Sequence, residues 1–197
     1  MLFFLVFLCV YLITSISPAI IICKLKTGKD IRDMGSGNAG TTNALRVMGK
    51  KLGILVFTLD VLKVVLAYGI VYLLIIAFNY SNIATINGIF LVSAVLGHCY
   101  PIYYGFKGGK GVAVILTCAM IINYKLTLIC LVFAIIMILI TRMVSVGSIT
   151  GLLLFDILIF IKDQSYIIPA ILVSIIVVYK HRKNIQRIFQ HKENKLF

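Results

Sequence analysis

The chain has 197 residues, 61% of them hydrophobic, and 19 Lys and Arg against six Asp and Glu, a formal net charge of +13. Its mean hydropathy is +1.10, an apolar load that a water-soluble domain of this length has too much surface to carry, so its solvent is lipid. Backbone groups in lipid must be satisfied within the segment, which makes the expected fold all-α: a polytopic integral membrane helix bundle, one domain over residues 1–197.

Apolar runs cover residues 1–23, 52–78, 83–97, 112–122, 126–140, 144–161 and 165–179. They predict about seven transmembrane helices, or five if 112–140 forms a hairpin dipping part-way into the membrane. Several runs are shorter than a full span, and 112–122 is the shortest. Segments 24–51, 98–111, 141–143 and 180–197 hold sixteen of the nineteen Lys and Arg, whereas the alternate segments hold only Lys125 and Lys162. By the positive-inside rule the N-terminus lies outside and the C-terminus in the cytoplasm. The first run has no basic residue before it and Lys24 and Lys26 after it, the pattern of an N-out anchor rather than a cleaved signal. Cys9, Cys23, Cys99, Cys118 and Cys130 are odd in number, include no C-x-x-C pair and lie mostly in apolar runs, so they read as small hydrophobes.

The chemistry-capable residues fall in the four basic segments. In the first, Gly35-Ser36-Gly37-Asn38-Ala39-Gly40 satisfies the G-x-G-x-x-G fingerprint of dinucleotide sites. That fingerprint needs a preceding strand and an acid about 20 residues on; here membrane helices flank it, and the next acids after Asp33 are Asp60 and Asp156. What is left is a loop of small residues whose amides can approach an anion, with Ser36, Gly37, Asn38, Gly40, Thr41, Thr42 and Asn43 around it. Thr41 or Thr42 is placed to cap a short helix carrying Arg46, with its positive end aimed at the same anion. A plain turn between membrane helices fits the composition as well.

The second segment, Gly97 to Ala113, carries Lys107, Gly108, Gly109, Lys110 and Gly111, a flexible cationic loop suited to phosphate but lacking the Walker spacing. Pro101 ends the preceding helix. Tyr100, Tyr103 and Tyr104 read as an interfacial belt. His98 is a candidate for proton handling, or a polar helix cap. In the third segment Arg142 is either a topology signal or part of a polar stripe with Ser145 and Ser148. In the fourth, His181 and Asn184 share a helical stripe, and a basic tail lying on headgroups is the alternative. Within the spans, Asp60 and Lys63 at i, i+3 are expected to pair, and Asp156 is expected to find an arginine or lysine on a neighbouring helix. His98, His181 and His191 are not spaced as a metal-ligand set with acids.

The ordered series Pro18, "DIR" at Asp30, "GSGN" through "TTNALR", Asp60 with Lys63, "GH" with Pro101 running into "FKGGKGVA", "TRMVSVGS" and the His181-to-Glu193 tail resembles the bacterial acyl-phosphate:glycerol-3-phosphate acyltransferases over nearly the whole chain. Tyr100, Val64, Val114 and His191 depart from the usual Phe, Gly, Thr and Gly; the last bears on the turn before Glu193. The resemblance implies catalytic roles for Ser36, Arg46, Lys110, His181 and Asn184, and transfer of an acyl group from acyl phosphate to glycerol 3-phosphate in the bacterial cytoplasmic membrane. Cytoplasmic placement lets Ser36, Lys110, Arg142 and His181 share one face, with Lys107, Arg142 and Ser145 as further phosphate ligands. It implies no cofactor, metal or nucleic acid; the partners are the two substrates, membrane lipids and the soluble enzyme that supplies acyl phosphate. A small channel or transporter for phosphate-bearing solutes is the competing class, and it would need polar residues threading the whole membrane. A lipid-binding scaffold is the third, and would not need such loops.

Overall fold

The structure is a computed structural model and describes residues 1–196. Among these residues there are nine α-helices and no strand: α1 (Leu2–Thr14), α2 (Pro18–Thr27), α3 (Thr41–Met48), α4 (Lys50–Ala77), α5 (Ile83–Cys99), α6 (Val112–Thr141), α7 (Val144–Lys162), α8 (Ile167–Lys180) and α9 (Arg182–Phe189). Each apolar run of the sequence is mostly helical, the first broken at Ser15–Ser17. By length and composition five helical stretches can cross a membrane, with α1 and α2 counted as one; a sixth joins them if α8 and α9, bent by 57°, count as one. The difference from about seven lies mainly in α6, which carries both 112–122 and 126–140. A straight 30-residue helix would be about 45 Å long, well beyond the ~30 Å hydrocarbon core. It is not straight: Asn123 has φ −151° and ψ 87°, and its Oδ1 accepts from the Leu126 amide at 3.1 Å, capping the second limb.

The chain divides into two compact units, Met1–Cys118 and Ala119–Phe197. In the first, α1 packs on α4 and α5, and α3 lies on the start of α4. The α1–α5 crossing requires glycine at position 97. A Cβ there would stand 2.2 Å from Thr14 Oγ1 and 2.5 Å from the Tyr11 carbonyl oxygen. The Tyr11 hydroxyl donates to the Tyr100 carbonyl at 2.8 Å, tying the same helices together. Between α1 and α2 the helix breaks at Ser15–Ser17, because Pro18 has no N–H to continue it. The Ile16 carbonyl at that break accepts from Lys63 Nζ at 2.8 Å.

In the second unit α7 packs on α8, and Gly147 and Gly151 let it approach the second limb of α6. A Cβ on Gly147 would meet the Ala134 carbonyl at 2.5 Å, and one on Gly151 the Ala134 Cβ at 2.8 Å. Such small-residue spacing is how helices pack where lipid supplies no hydrophobic drive. Asp156 meets neither arginine nor lysine: its Oδ2 accepts from the Ser174 hydroxyl at 2.6 Å, and a hydroxyl from the adjacent α8 does what a basic residue was expected to do. All five cysteines are free thiols.

Candidate active site

In the first unit the loop between α2 and α3 is shaped from inside. Asn43 is buried. Its Oδ1 accepts from the Ser36 amide at 2.8 Å, and its Nδ2 donates to the carbonyls of Met34 (3.0 Å) and Ile31 (3.3 Å). Asn43 therefore organises the loop from beneath, rather than standing in it as a surface donor. Gly35 and Gly37 have φ of +59° and +71°, the left-handed region that favours glycine. Ser36 and Gly37 are exposed at the tip, Asn38 is half-buried, and the short helix expected after the loop is α3, with Arg46 exposed on it. Its cap is Gly40, with no side-chain hydrogen bond from Thr41 or Thr42. In its first turn the amides of Thr41, Thr42 and Asn43 have no intrahelical acceptor, which leaves a positive helix end.

Arg32 fastens this loop to the second one. Its guanidinium grips the Asp30 carboxylate at 2.7–3.1 Å and donates through Nη1 to the carbonyls of Tyr104 (2.7 Å) and Lys107 (3.2 Å). The hydrogen bond from Arg32, together with its charge, holds the Asp30 carboxyl below its ordinary value against the opposing effect of burial. The second loop folds back on the end of α5. Gly108 N donates to the Cys99 carbonyl and Gly109 N to the His98 carbonyl, both at 3.2 Å. Gly111 has φ +87° and ends the loop where α6 starts. Lys107 is exposed and Lys110 half-buried. The expected Asp60–Lys63 ion pair is present at 2.8 Å, both residues buried.

In the second unit Glu193 is the hub. Its Oε1 accepts from the Ser145 hydroxyl at 2.9 Å and from Asn184 Nδ2, and its Oε2 from Arg187 Nε at 2.7 Å. Burial raises the Glu193 carboxyl, but hydrogen bonds from Asn184, Arg187 and Ser145, with the Arg187 charge, outweigh it and hold the carboxyl below its ordinary 4.5. His181 is buried at the joint of α8 and α9. Its Nδ1 lies 2.8 Å from the Val177 carbonyl oxygen. A carbonyl only accepts, so the ring proton sits on Nδ1 and Nε2 is the basic nitrogen.

Arg142 does not share a helical stripe with Ser145. It precedes α7 and has φ +60°, donating its amide to the Ile138 carbonyl at 2.7 Å and accepting from the Leu196 amide at 2.7 Å. The exposed Arg142 is thus where the tail returns to the end of α6.

The expected residues thus fall into two groups. Ser36, Gly37, Asn38, Gly40, Thr41, Asn43, Arg46, His98, Lys107, Gly108, Gly109, Lys110 and Gly111 belong to the first unit, and Arg142, Ser145, His181 and Asn184 to the second. Two organisers escaped the sequence reading of the site: Arg32 with Asp30, and Glu193 with Arg187. The signal for Glu193 was there, a lone acid among six basic residues after position 179.

Residues 4–191 match the family model described as glycerol-3-phosphate acyltransferase, a match that runs through both units. The chain belongs to that family. The glycerol-3-phosphate acyltransferase of Clostridioides difficile (strain 630) is 40% identical to it over 189 residues, 94% of this chain and 91% of the relative. The enzyme of the same name from Shewanella sediminis (strain HAW-EB3) is 38% identical, covering 96% and 92%. Among solved structures, the glycerol 3-phosphate form of PlsY (YgiH), an integral membrane glycerol 3-phosphate acyltransferase, aligns with a TM-score of 0.87 at 34% identity, covering 98% of this chain and 94% of that one. Its lysophosphatidic acid form aligns at 0.83 and 32% identity. This family member is accordingly an all-helical integral membrane acyltransferase of the PlsY type.

Proposed function

We propose that the protein transfers a fatty acyl group from acyl phosphate to the 1-hydroxyl of sn-glycerol 3-phosphate, giving lysophosphatidic acid and phosphate. The observation that carries this reading is the family match over residues 4–191, joined to structural neighbours whose solved forms hold glycerol 3-phosphate and lysophosphatidic acid. The sequence motifs add the donor, since they resemble the acyl-phosphate-dependent enzymes.

An acyl phosphate is a mixed anhydride with a good leaving group, so no covalent enzyme intermediate is required. The acceptor hydroxyl oxygen attacks the acyl carbon, the bond from that carbon to the phosphate oxygen breaks, and the hydroxyl proton moves to a base. The two substrates together carry roughly three to four negative charges, because each phosphate has a second ionisation near pH 6. Ser36, Thr41, Arg46 and the amides of Gly37, Asn38, Gly40 and the start of α3 answer one phosphate; Lys107, Lys110 and the glycines 108, 109 and 111 answer the other. His181 Nε2 takes the hydroxyl proton, with the departing phosphate as the competing acceptor. Asn184, its amide fixed by Glu193, which the Ser145 hydroxyl also holds, orients the acceptor. The site opens to the cytoplasm, with the N-terminus outside, and the acyl chain enters sideways between helices. Acyl phosphate reaches it from the soluble enzyme that makes it.

Turnover of purified Ser36→Ala and His181→Ala in detergent tests these roles. Each variant is expected to lose at least about a hundredfold in rate, the usual scale for a general base or an oxyanion-site donor. Near-normal rates in either would remove its assigned role.

A further inference from the structure

The buried cluster of Asp60, Lys63 and His98 lies outside the chemistry just described, yet it stands under both anion loops of the first unit. Lys63 Nζ is ion-paired with Asp60 Oδ1 at 2.8 Å, donates to the Ile16 carbonyl oxygen at 2.8 Å and lies within hydrogen-bond distance of His98 Nδ1 at 3.1 Å. An ammonium has no lone pair, so Nδ1 of His98 must accept, and the imidazole is neutral with its proton on Nε2. The Asp60 carboxylate is ion-paired with Lys63 and also lies 3.5 Å from Nδ1. The position of Nε2 is marked by Gly109. A Cβ there would stand 2.2 Å from His98 Nε2 and 2.9 Å from the Ala39 carbonyl oxygen. One step back, a Cβ on Gly108 would stand 2.1 Å from the His98 carbonyl oxygen. The Nε2 edge of the ring therefore sits where the Gly108–Gly109 turn of the second loop passes the Ala39 peptide of the first.

We propose that Asp60, Lys63 and His98 form a positioning relay, in which the buried ammonium fixes the His98 tautomer so that its Nε2–H sets the spacing of the two glycine loops. His98 is then a positioning residue for phosphate binding and not a proton carrier. The break between α1 and α2 is part of the device, because the carbonyl it frees at Ile16 accepts from the Lys63 ammonium. The inference rests on the acyltransferase reading for its substrate, but not for its geometry.

Two measurements test it. With three histidines in the chain, ring-¹⁵N labelling and His→Gln assignment variants resolve each imidazole by NMR. His98 is expected to be neutral and protonated at Nε2 in the wild type, and to lose that fixed tautomer in Lys63→Met. Steady-state kinetics then compare His98→Leu with His98→Gln, whose amide N–H₂ can replace Nε2–H. His98→Leu is expected to raise KM for glycerol 3-phosphate by about tenfold, the scale of one hydrogen bond lost from a buried network, with kcat nearly unchanged and His98→Gln close to wild type. An imidazole protonated at Nδ1, or an imidazolium at neutral pH, would overturn the relay. So would a kcat loss at constant KM, or identical behaviour of the two variants. If His98→Leu does not fold, the tautomer and the His98→Gln kinetics still decide. A wild type inactive on glycerol 3-phosphate with every donor would instead remove the acyltransferase reading, and the tautomer measurement would judge the relay alone.

Discussion

The residues that organise the site are less conspicuous than those expected to act in it. Glu193 is one acid in a basic tail, yet it collects Ser145, Asn184 and Arg187. Its folded pKa is held below the ordinary 4.5, so its stabilising contribution is complete above the unfolded value and disappears as pH falls through the folded one. Thermal midpoints of the detergent-solubilised protein, measured from about pH 6 down to about pH 3, are expected to fall more steeply for the wild type than for Glu193→Gln. Parallel curves would show that the carboxylate contributes nothing. Sequence reading reached the polar residue types here but not their division of labour. Asn43 and Ser145 were grouped with phosphate ligands because composition does not show which way an amide or hydroxyl points. Both spend hydrogen bonds on the protein, Asn43 on the loop backbone and Ser145 on Glu193. His191 has φ +54°, so the turn before Glu193 is made with a residue type that tolerates the left-handed region.

At the scale of elements, the helices were legible because lipid allows little else, and their packing was less so. Periodicity marks an apolar run but not where a kink falls: the runs 112–122 and 126–140 are two limbs of α6, with Asn123 capping the second. Glycines were legible as loop formers and obscure as packing residues. Gly97 and Gly69 look alike in the sequence, but a Cβ on Gly97 runs into α1 whereas one on Gly69 of α4 meets nothing within 4 Å. Gly97→Ala is therefore expected to cost about 1–3 kcal/mol through the forced separation of α1 from α5, while Gly69→Ala gains about 0.5–1 kcal/mol in helix propensity. Denaturation in mixed micelles reads both. Equal effects of the two substitutions would contradict the close α1–α5 packing.

For the whole molecule, charge distribution and motif order pointed to function more directly than any one loop did. The G-x-G-x-x-G match failed as a nucleotide fingerprint because no strand exists among the described residues to precede it. The same glycines are explained by a loop that Asn43 and Arg32 brace from beneath, leaving Ser36 exposed at its tip. Acid scarcity has the same logic, since a site for two phosphates is served by basic residues with few carboxylates near them, one of which, Asp30, is already paired with Arg32. The most direct test of the acyltransferase account is product formation by purified wild-type protein in detergent, given glycerol 3-phosphate with either acyl phosphate or acyl-CoA. Lysophosphatidic acid and inorganic phosphate are expected from acyl phosphate. No product from acyl phosphate, or product from acyl-CoA alone, would contradict it.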